Sequence, residues 1–149
     1  MLNMNAIKLY RLERKLYLLK LTPVAKIVRG IIFLLYNSFI PYKSEIGKGT
    51  VFAYKGIGVI MHERAVIGEN CTIGAQVTIG GKSGLYDVPK IGNNVYIATG
   101  AKVLGPVKIG NNVVIGANAI MINDAPNNTV WAGVPAKCIK KDIDDSYVV

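Results

Sequence analysis

Residues 59–80 read VIMHERAVIGENCTIGAQVTIG, and an aliphatic residue or methionine returns at every sixth position: Met61, Ile67, Ile73 and Ile79. The register continues unbroken through Leu85, Ile91, Ile97, Val103, Ile109, Ile115 and Met121, eleven anchors in all. Two residues before most anchors stands a small or branched apolar residue, such as Val59, Ala65, Cys71, Val77, Val95 or Ala101. After six of the eleven stands glycine, at 68, 74, 80, 92, 110 and 116. A period of six satisfies the two-residue alternation of a strand and no helical period. Gly and Asn recur in GEN at 68–70 and in GNN at 92–94 and 110–112, residue types that turns accept at positive φ.

Short strands joined by regular bends predict a parallel β-helix. Three hexads per triangular coil place residues 18 apart over one another, about 4.8 Å along the axis. Ile79 is then expected on Met61, Ile97 on Ile79, and Ile115 on Ile97. Three places stand out, the last being where Pro126 and WAGVPAKCIKK from Trp131 end the solenoid and place Lys137, Lys140 and Lys141 together. Ile46 opens a repeat-like EIGKGTVF that is three residues out of phase with Met61, so AYKGIG at 53–58 must be irregular. GGKSGLYDVPK at 80–90 carries turn-formers where repeat residues are due and is expected to leave the coil as a loop. Function in a solenoid concentrates where the repeat breaks.

The 149 residues are expected to make one core with an attached segment and no second catalytic domain. The expected division is a basic helical segment over 1–42, a β-helix over 43–141 and an acidic, mobile tail over 142–149. The net charge of +9 is uneven: residues 1–45 hold eight Lys or Arg against Glu13 and Glu45. Apolar spacing of Ile7, Tyr10, Leu16 and Leu19, then Val24, Ile27, Ile31 and Leu35, predicts two helices. Thr22 and Pro23 offer the second an N-cap and a first-turn proline. The helices pack on each other, on the solenoid mouth or in an oligomer, or else they contact an anionic membrane surface. Nucleic acid is not an expected partner, because no interleaving of aromatic and basic residues accompanies the charge. No run of eighteen apolar residues predicts a transmembrane helix. Cys71 and Cys138 offer no disulfide framework, and the expected location is cytoplasmic, at the inner face of the membrane if the basic segment contacts it.

Residues 58–140 resemble the hexapeptide-repeat acyltransferases. The resemblance is carried by VTIGGKSG at 77–84, PKIGNNVYIATGAKVLGPVKIGNNVVIGANAIMINDAPNN at 89–128 and AGVPAK at 132–137. The branch they most resemble is that of the serine O-acetyltransferases. That resemblance implies a left-handed β-helix, a homotrimer with active sites between neighbouring solenoids, and acetyl-CoA as donor. The branch's Asp-His-Ala-Thr-Gly stretch aligns its Gly with Gly58, which puts its Asp on Tyr54 and its His on Lys55. Its Asp-Arg-His-Pro-Lys loop falls on Tyr86, Asp87, Val88, Pro89 and Lys90. With both histidines replaced, the expected activity shifts to acetyl-CoA-dependent O-acetylation of a saccharide or surface-polysaccharide precursor. Serine O-acetylation in cysteine biosynthesis is one alternative, and a non-catalytic β-helix scaffold is another.

Acetyl transfer to a hydroxyl needs a base, donors for the developing oxyanion, and positioning of both substrates. His62 is the sole histidine. It is a candidate base, with a structural role at a solenoid corner as the other reading. Gly80 and Gly81, one coil above, are candidate oxyanion donors through their amides, or else plain turn glycines. Lys55 and Asp87 are candidate acceptor contacts, Asp87 being otherwise an exposed loop carboxylate. The resemblance places the pantetheine of acetyl-CoA along Ala98, Thr99 and Ala117 and its phosphates near Lys137 and Lys140, which are otherwise a solvated lysine run. One histidine cannot supply the three ligands of a carbonic-anhydrase-type metal on this solenoid, so no metal is expected. The outward positions lack the flat threonine arrays of an ice-binding surface.

Overall fold

The computed structural model describes residues 5–144 and 147. Helices α1 (Ala6–Leu18) and α2 (Thr22–Tyr36) precede fourteen short strands that wind into a triangular prism. The first face stacks β1 (Glu45–Ile46), β4 (Val66–Ile67), β7 (Lys90–Ile91) and β10 (Lys108–Ile109). The second stacks β2 (Val51–Phe52), β5 (Thr72–Ile73), β8 (Tyr96–Ile97), β11 (Val113–Ile115) and β13 (Thr129–Gly133), and β14 (Ala136–Lys141) closes it. The third stacks β3 (Ile60–Met61), β6 (Thr78–Gly80), β9 (Lys102–Leu104) and β12 (Ile120–Met121). Every strand pair is parallel except β13 with β14.

Ten of the eleven anchors fill the bore, each no more than 4% exposed, with the small column that precedes them equally buried. The pairing Met61 with Ile79 and Ile97 with Ile115 follows the expected 18-residue coil. The expected stacking of Ile97 on Ile79 does not occur: Ile97 lies on Ile73, and Ile79 lies beneath Val103. The loop after β6 adds a whole hexad to that coil, so the register survives while Leu85 leaves the bore and is half exposed. In the first coil Ile46 pairs with Ile67 and Phe52 with Ile73, three residues beyond the regular spacing. The surplus is absorbed in a 3-10 turn over Ala53–Gly56, where Tyr54 and Lys55 adopt positive φ.

The recurrent Asn and Gly divide the labour at the corners. Asn70, Asn94, Asn112 and Asn118 take left-handed φ between 53° and 55°. The glycines after the anchors do not; they are needed for space. A Cβ on Gly68 would stand 2.4 Å from the Gly92 carbonyl oxygen, and one on Gly74 would stand 2.5 Å from the Thr99 nitrogen. The side chains of Asn94, Asn112 and Asn128 form a hydrogen-bonded ladder at 3.2 and 3.0 Å.

The helices cover the first coil. Tyr10 Oη donates to the Ser44 carbonyl at 2.6 Å, Arg14 Nη1 to the Tyr42 carbonyl at 2.9 Å, and Asn5 Nδ2 to the Phe52 carbonyl at 2.9 Å. Ile7 and Tyr10 of α1 face inward as expected, but the rest of the inward faces differ. In α2 the buried stripe is Ala25, Val28, Ile32 and Tyr36, whereas Val24, Ile27, Ile31 and Leu35 face outward. Leu19, the C-cap of α1, is exposed, and within α1 Glu13 takes a buried place. Both faces of α2 are apolar, so periodicity could not choose between them. The N-cap of α2 is Leu21, without a side-chain bond, and Thr22 is already helical. Among the described residues no helix is long and apolar enough to cross a membrane. Cys71 and Cys138 are free. Much of the expected acidic tail lies outside the described residues.

Candidate active site

Each corner of the prism gathers one residue per coil into a column. Between the third and first faces the column holds His62, Gly80 and Leu104. The His62 amide donates to the Ile79 carbonyl at 2.8 Å, which locks the backbone beneath β6. A Cβ built on Gly81 would lie 3.7 Å from His62 Cδ2 and 4.0 Å from Nε2. The Cδ2–Nε2 edge of the ring therefore faces the Gly81 backbone.

The two expected oxyanion donors are not equivalent. Gly80 pairs with Leu104, and its carbonyl accepts from the Gly105 amide at 2.9 Å. In a parallel ladder that pairing commits the Gly80 N–H to β9, so Gly80 is corrected from donor to ladder residue. Gly81 lies past the end of β6, and of the two glycines it is the one whose N–H has no acceptor among the described residues.

The Arg64 amide donates to His62 Nδ1 at 3.1 Å. An accepting Nδ1 puts the proton of the neutral ring on Nε2. For Nε2 to act as a base the proton must move to Nδ1, with loss of that one exposed hydrogen bond, a cost of about 1 kcal/mol. General-base catalysis contributes roughly 10²- to 10⁴-fold, about 3 to 5 kcal/mol, so the cost does not decide against it.

A cavity of about 380 Å³ opens beside His62, lined by Arg29, Phe39, Ile60, His62, Glu63 and Gly80 among others. Arg29 reaches it from α2, with its guanidinium 5.4 Å from the Phe39 ring centre and 5.2 Å from that of Tyr42. Behind it, Glu13 is fully buried, and neither carboxylate oxygen has a hydrogen-bond partner. Burial pushes its carboxyl up to about 8, against the opposing pull of Arg29. Sequence reading did not single out Arg29 or Glu13. A signal existed for Arg29: it falls with Ala25, Ile32 and Tyr36 on one helical face.

The loop from residue 81 to 89 hangs from the same corner. Arg64 stacks 4.1 Å from the Tyr86 ring centre and donates to the Tyr86 carbonyl. Val88 is buried, whereas Asp87 is exposed and does not line the cavity.

The other expected site residues lie elsewhere. Gly74, Ala98, Gly116 and Ala132 stack along the corner between the second and third faces, with Thr99 and Ala117 exposed beside them. Lys137 pairs with Ala132 at the top of this edge. Lys140 pairs with Val130 further along, its Nζ 4.4 Å from the Tyr147 ring centre. Lys55 is exposed in the 3-10 turn that leads from β2 to β3, at the foot of the same edge. A single chain thus gathers Ala98, Thr99, Ala117 and Lys137 but holds them, with Lys55, at the opposite end of the third face from His62. Among the described residues no cluster of His, Cys, Asp or Glu is suited to a metal ion.

Comparison with known proteins agrees with this architecture. The family of bacterial transferase hexapeptides (six repeats) matches residues 89–123, and that of the hexapeptide repeat of succinyl-transferase matches 64–83. The class is therefore that of left-handed β-helix, hexapeptide-repeat transferases. A serine acetyltransferase of Helicobacter pylori is 34% identical over 140 residues, covering 93% of this chain and 81% of that protein. One from Staphylococcus xylosus is 35% identical over 140 residues, with 93% of this chain and 64% of that protein covered. The solved serine acetyltransferase of Neisseria gonorrhoeae superposes with a TM-score of 0.85 at 31% identity, over 96% of this chain and 56% of that one. A serine acetyltransferase in complex with CoA gives 0.82 at 31% identity, over 90% and 55%. The chain belongs to the serine acetyltransferase family. It spans somewhat under two thirds of the Staphylococcus xylosus relative and little more than half of these two solved chains. The expected saccharide acetyltransferase activity is overturned here. Replacement of the two motif histidines pointed away from serine acetyltransferases, yet these relatives match over nine tenths of the chain.

Proposed function

We propose that the chain transfers an acetyl group from acetyl-CoA to the hydroxyl of serine. The observation that carries this reading is the cavity in which the only histidine stands beside a free backbone donor, in a chain of this family. Serine binds in the cavity, and His62 Nε2 takes the hydroxyl proton once Nδ1 carries the ring proton. The serine oxygen attacks the thioester carbonyl, whose developing oxyanion receives the Gly81 N–H. Collapse of the intermediate releases the CoA thiolate and leaves O-acetylserine.

The donor lies along Ala98, Thr99 and Ala117, with its phosphates toward Lys137 and Lys140. A homotrimer supports this arrangement, because that edge of one copy can then face the His62 corner of its neighbour. Lys55 and Asp87, set apart in one chain, would meet there as acceptor contacts. Sedimentation equilibrium should give three times the chain mass; a monomer that remains fully active would remove this part of the reading. The outward stripe of α2, flanked by Lys20 and Lys26, supports peripheral contact with an anionic bilayer from the cytoplasmic side. Co-sedimentation with anionic vesicles that fades in salt is the expected result, and an unbound protein the contrary one.

The decisive assay follows free thiol released from acetyl-CoA with serine as acceptor. His62→Ala should lower kcat/KM by about 10²- to 10⁴-fold. His62→Gln separates the two roles of the ring, since a glutamine amide donates but takes no proton. Equal loss in both variants marks a base, and retention in Gln marks a donor. No serine turnover by the native protein, together with no acetyl-CoA binding in calorimetry, would leave a non-catalytic scaffold.

A further inference from the structure

Arg29 is a cation without a counter-ion in a cavity otherwise walled chiefly by apolar atoms. The other charged group there, Glu63, is held by Lys43 Nζ at 3.2 Å. Arg29 makes no ion pair among the described residues. The Phe39 and Tyr42 rings fix the guanidinium by cation–π contact but bring no net negative charge. Glu13, the acid behind it, stays chiefly protonated at neutral pH with its carboxyl near 8 and does not neutralise it. A half-buried cation in apolar surroundings is costly until an anion meets it.

We infer that Arg29 receives the carboxylate of the amino-acid acceptor, so that this residue of α2 selects a hydroxyl substrate bearing an anion beside the hydroxyl that His62 activates. The inference rests on the serine reading above. A planar guanidinium presents forked donors that match a carboxylate bidentately, and its ring contacts pre-orient it. The same cavity then binds both ends of one small molecule, hydroxyl at His62 and carboxylate at Arg29. The other anion of the reaction, the donor's phosphates, offers the same chemistry, and kinetics separate the two.

The test compares native protein, Arg29→Met and Arg29→Lys with L-serine and L-serinamide as acceptors, after thermal melts show that all three fold. Arg29→Met should raise the KM for serine about 10- to 100-fold. The KM for acetyl-CoA and kcat/KM for serinamide should stay within about threefold, and Arg29→Lys should fall between. An unchanged serine KM, an equal loss with serinamide, or a shift confined to acetyl-CoA would overturn the inference. Absence of serine turnover in the native protein instead sinks the serine reading, and the inference with it, before any variant is compared.

Discussion

The two ends of the third face are built from the same repeat and do different things. At the edge beside the second face, Gly74, Ala98, Gly116 and Ala132 keep the wall thin coil after coil. At the edge beside the first face, the column carries His62 below Gly80, a looped-out hexad above, and a helix laid against its foot. Regular repetition makes an even rail, and a break in the repetition makes a pocket.

Substitution at the rail and at the pocket should differ most in catalysis. The loss in His62→Ala has no counterpart at the rail. There Lys137→Ala should raise the KM for acetyl-CoA only about three- to tenfold, in a salt-dependent way, because an exposed lysine acts as a point charge.

Stability gives the next contrast, between an anchor that stays in the bore and one that leaves it. Ile79→Ala should cost about 2 to 5 kcal/mol in denaturant unfolding, since Ile79 is wholly buried. Leu85→Ala should cost under about 0.5 kcal/mol. Equal costs would return Leu85 to the bore and restore an unbroken hexad register.

The pH dependence tests the buried acid near Arg29. In the fold Glu13 has its carboxyl raised from an ordinary 4.5 to about 8. The neutral form is thus preferred when folded, and its contribution is complete below about pH 4.5 and is lost as pH rises through 8. Glu13→Gln should leave stability unchanged at pH 4 and raise it by on the order of 4 kcal/mol above pH 8. A constant difference across that range would show that Glu13 is paired or hydrated.

The helices mark where reading the chain stops. Their existence was legible, but α2 is apolar on two sides, and the stripe of Val24, Ile27 and Ile31 fits a core as well as the buried one does. Choosing Ala25, Val28 and Ile32 required α1 and the solenoid mouth to be present. Likewise the Gly and Asn columns were visible, while their separate causes, close stacking for one and left-handed φ for the other, required coils lying over one another. His62 and Gly81 were candidates read from the chain and the family resemblance supplied Ala98, Thr99 and Ala117 as candidates, but neither pointed to Arg29 or Glu13. Nothing in a linear reading shows that a helix residue closes a pocket built by the first coils.

The sequence by itself determined the solenoid, its hexad anchors, the irregular first coil and the loop at 80–90. All of these follow from strand alternation and the need to fill a narrow bore. The tertiary structure decided which coil stacks on which, that Gly80 is spent in a ladder while Gly81 is free, and that an arginine from α2 stands across a cavity from the sole histidine. These depend on long-range register and docking, and local periodicity carries no information about either.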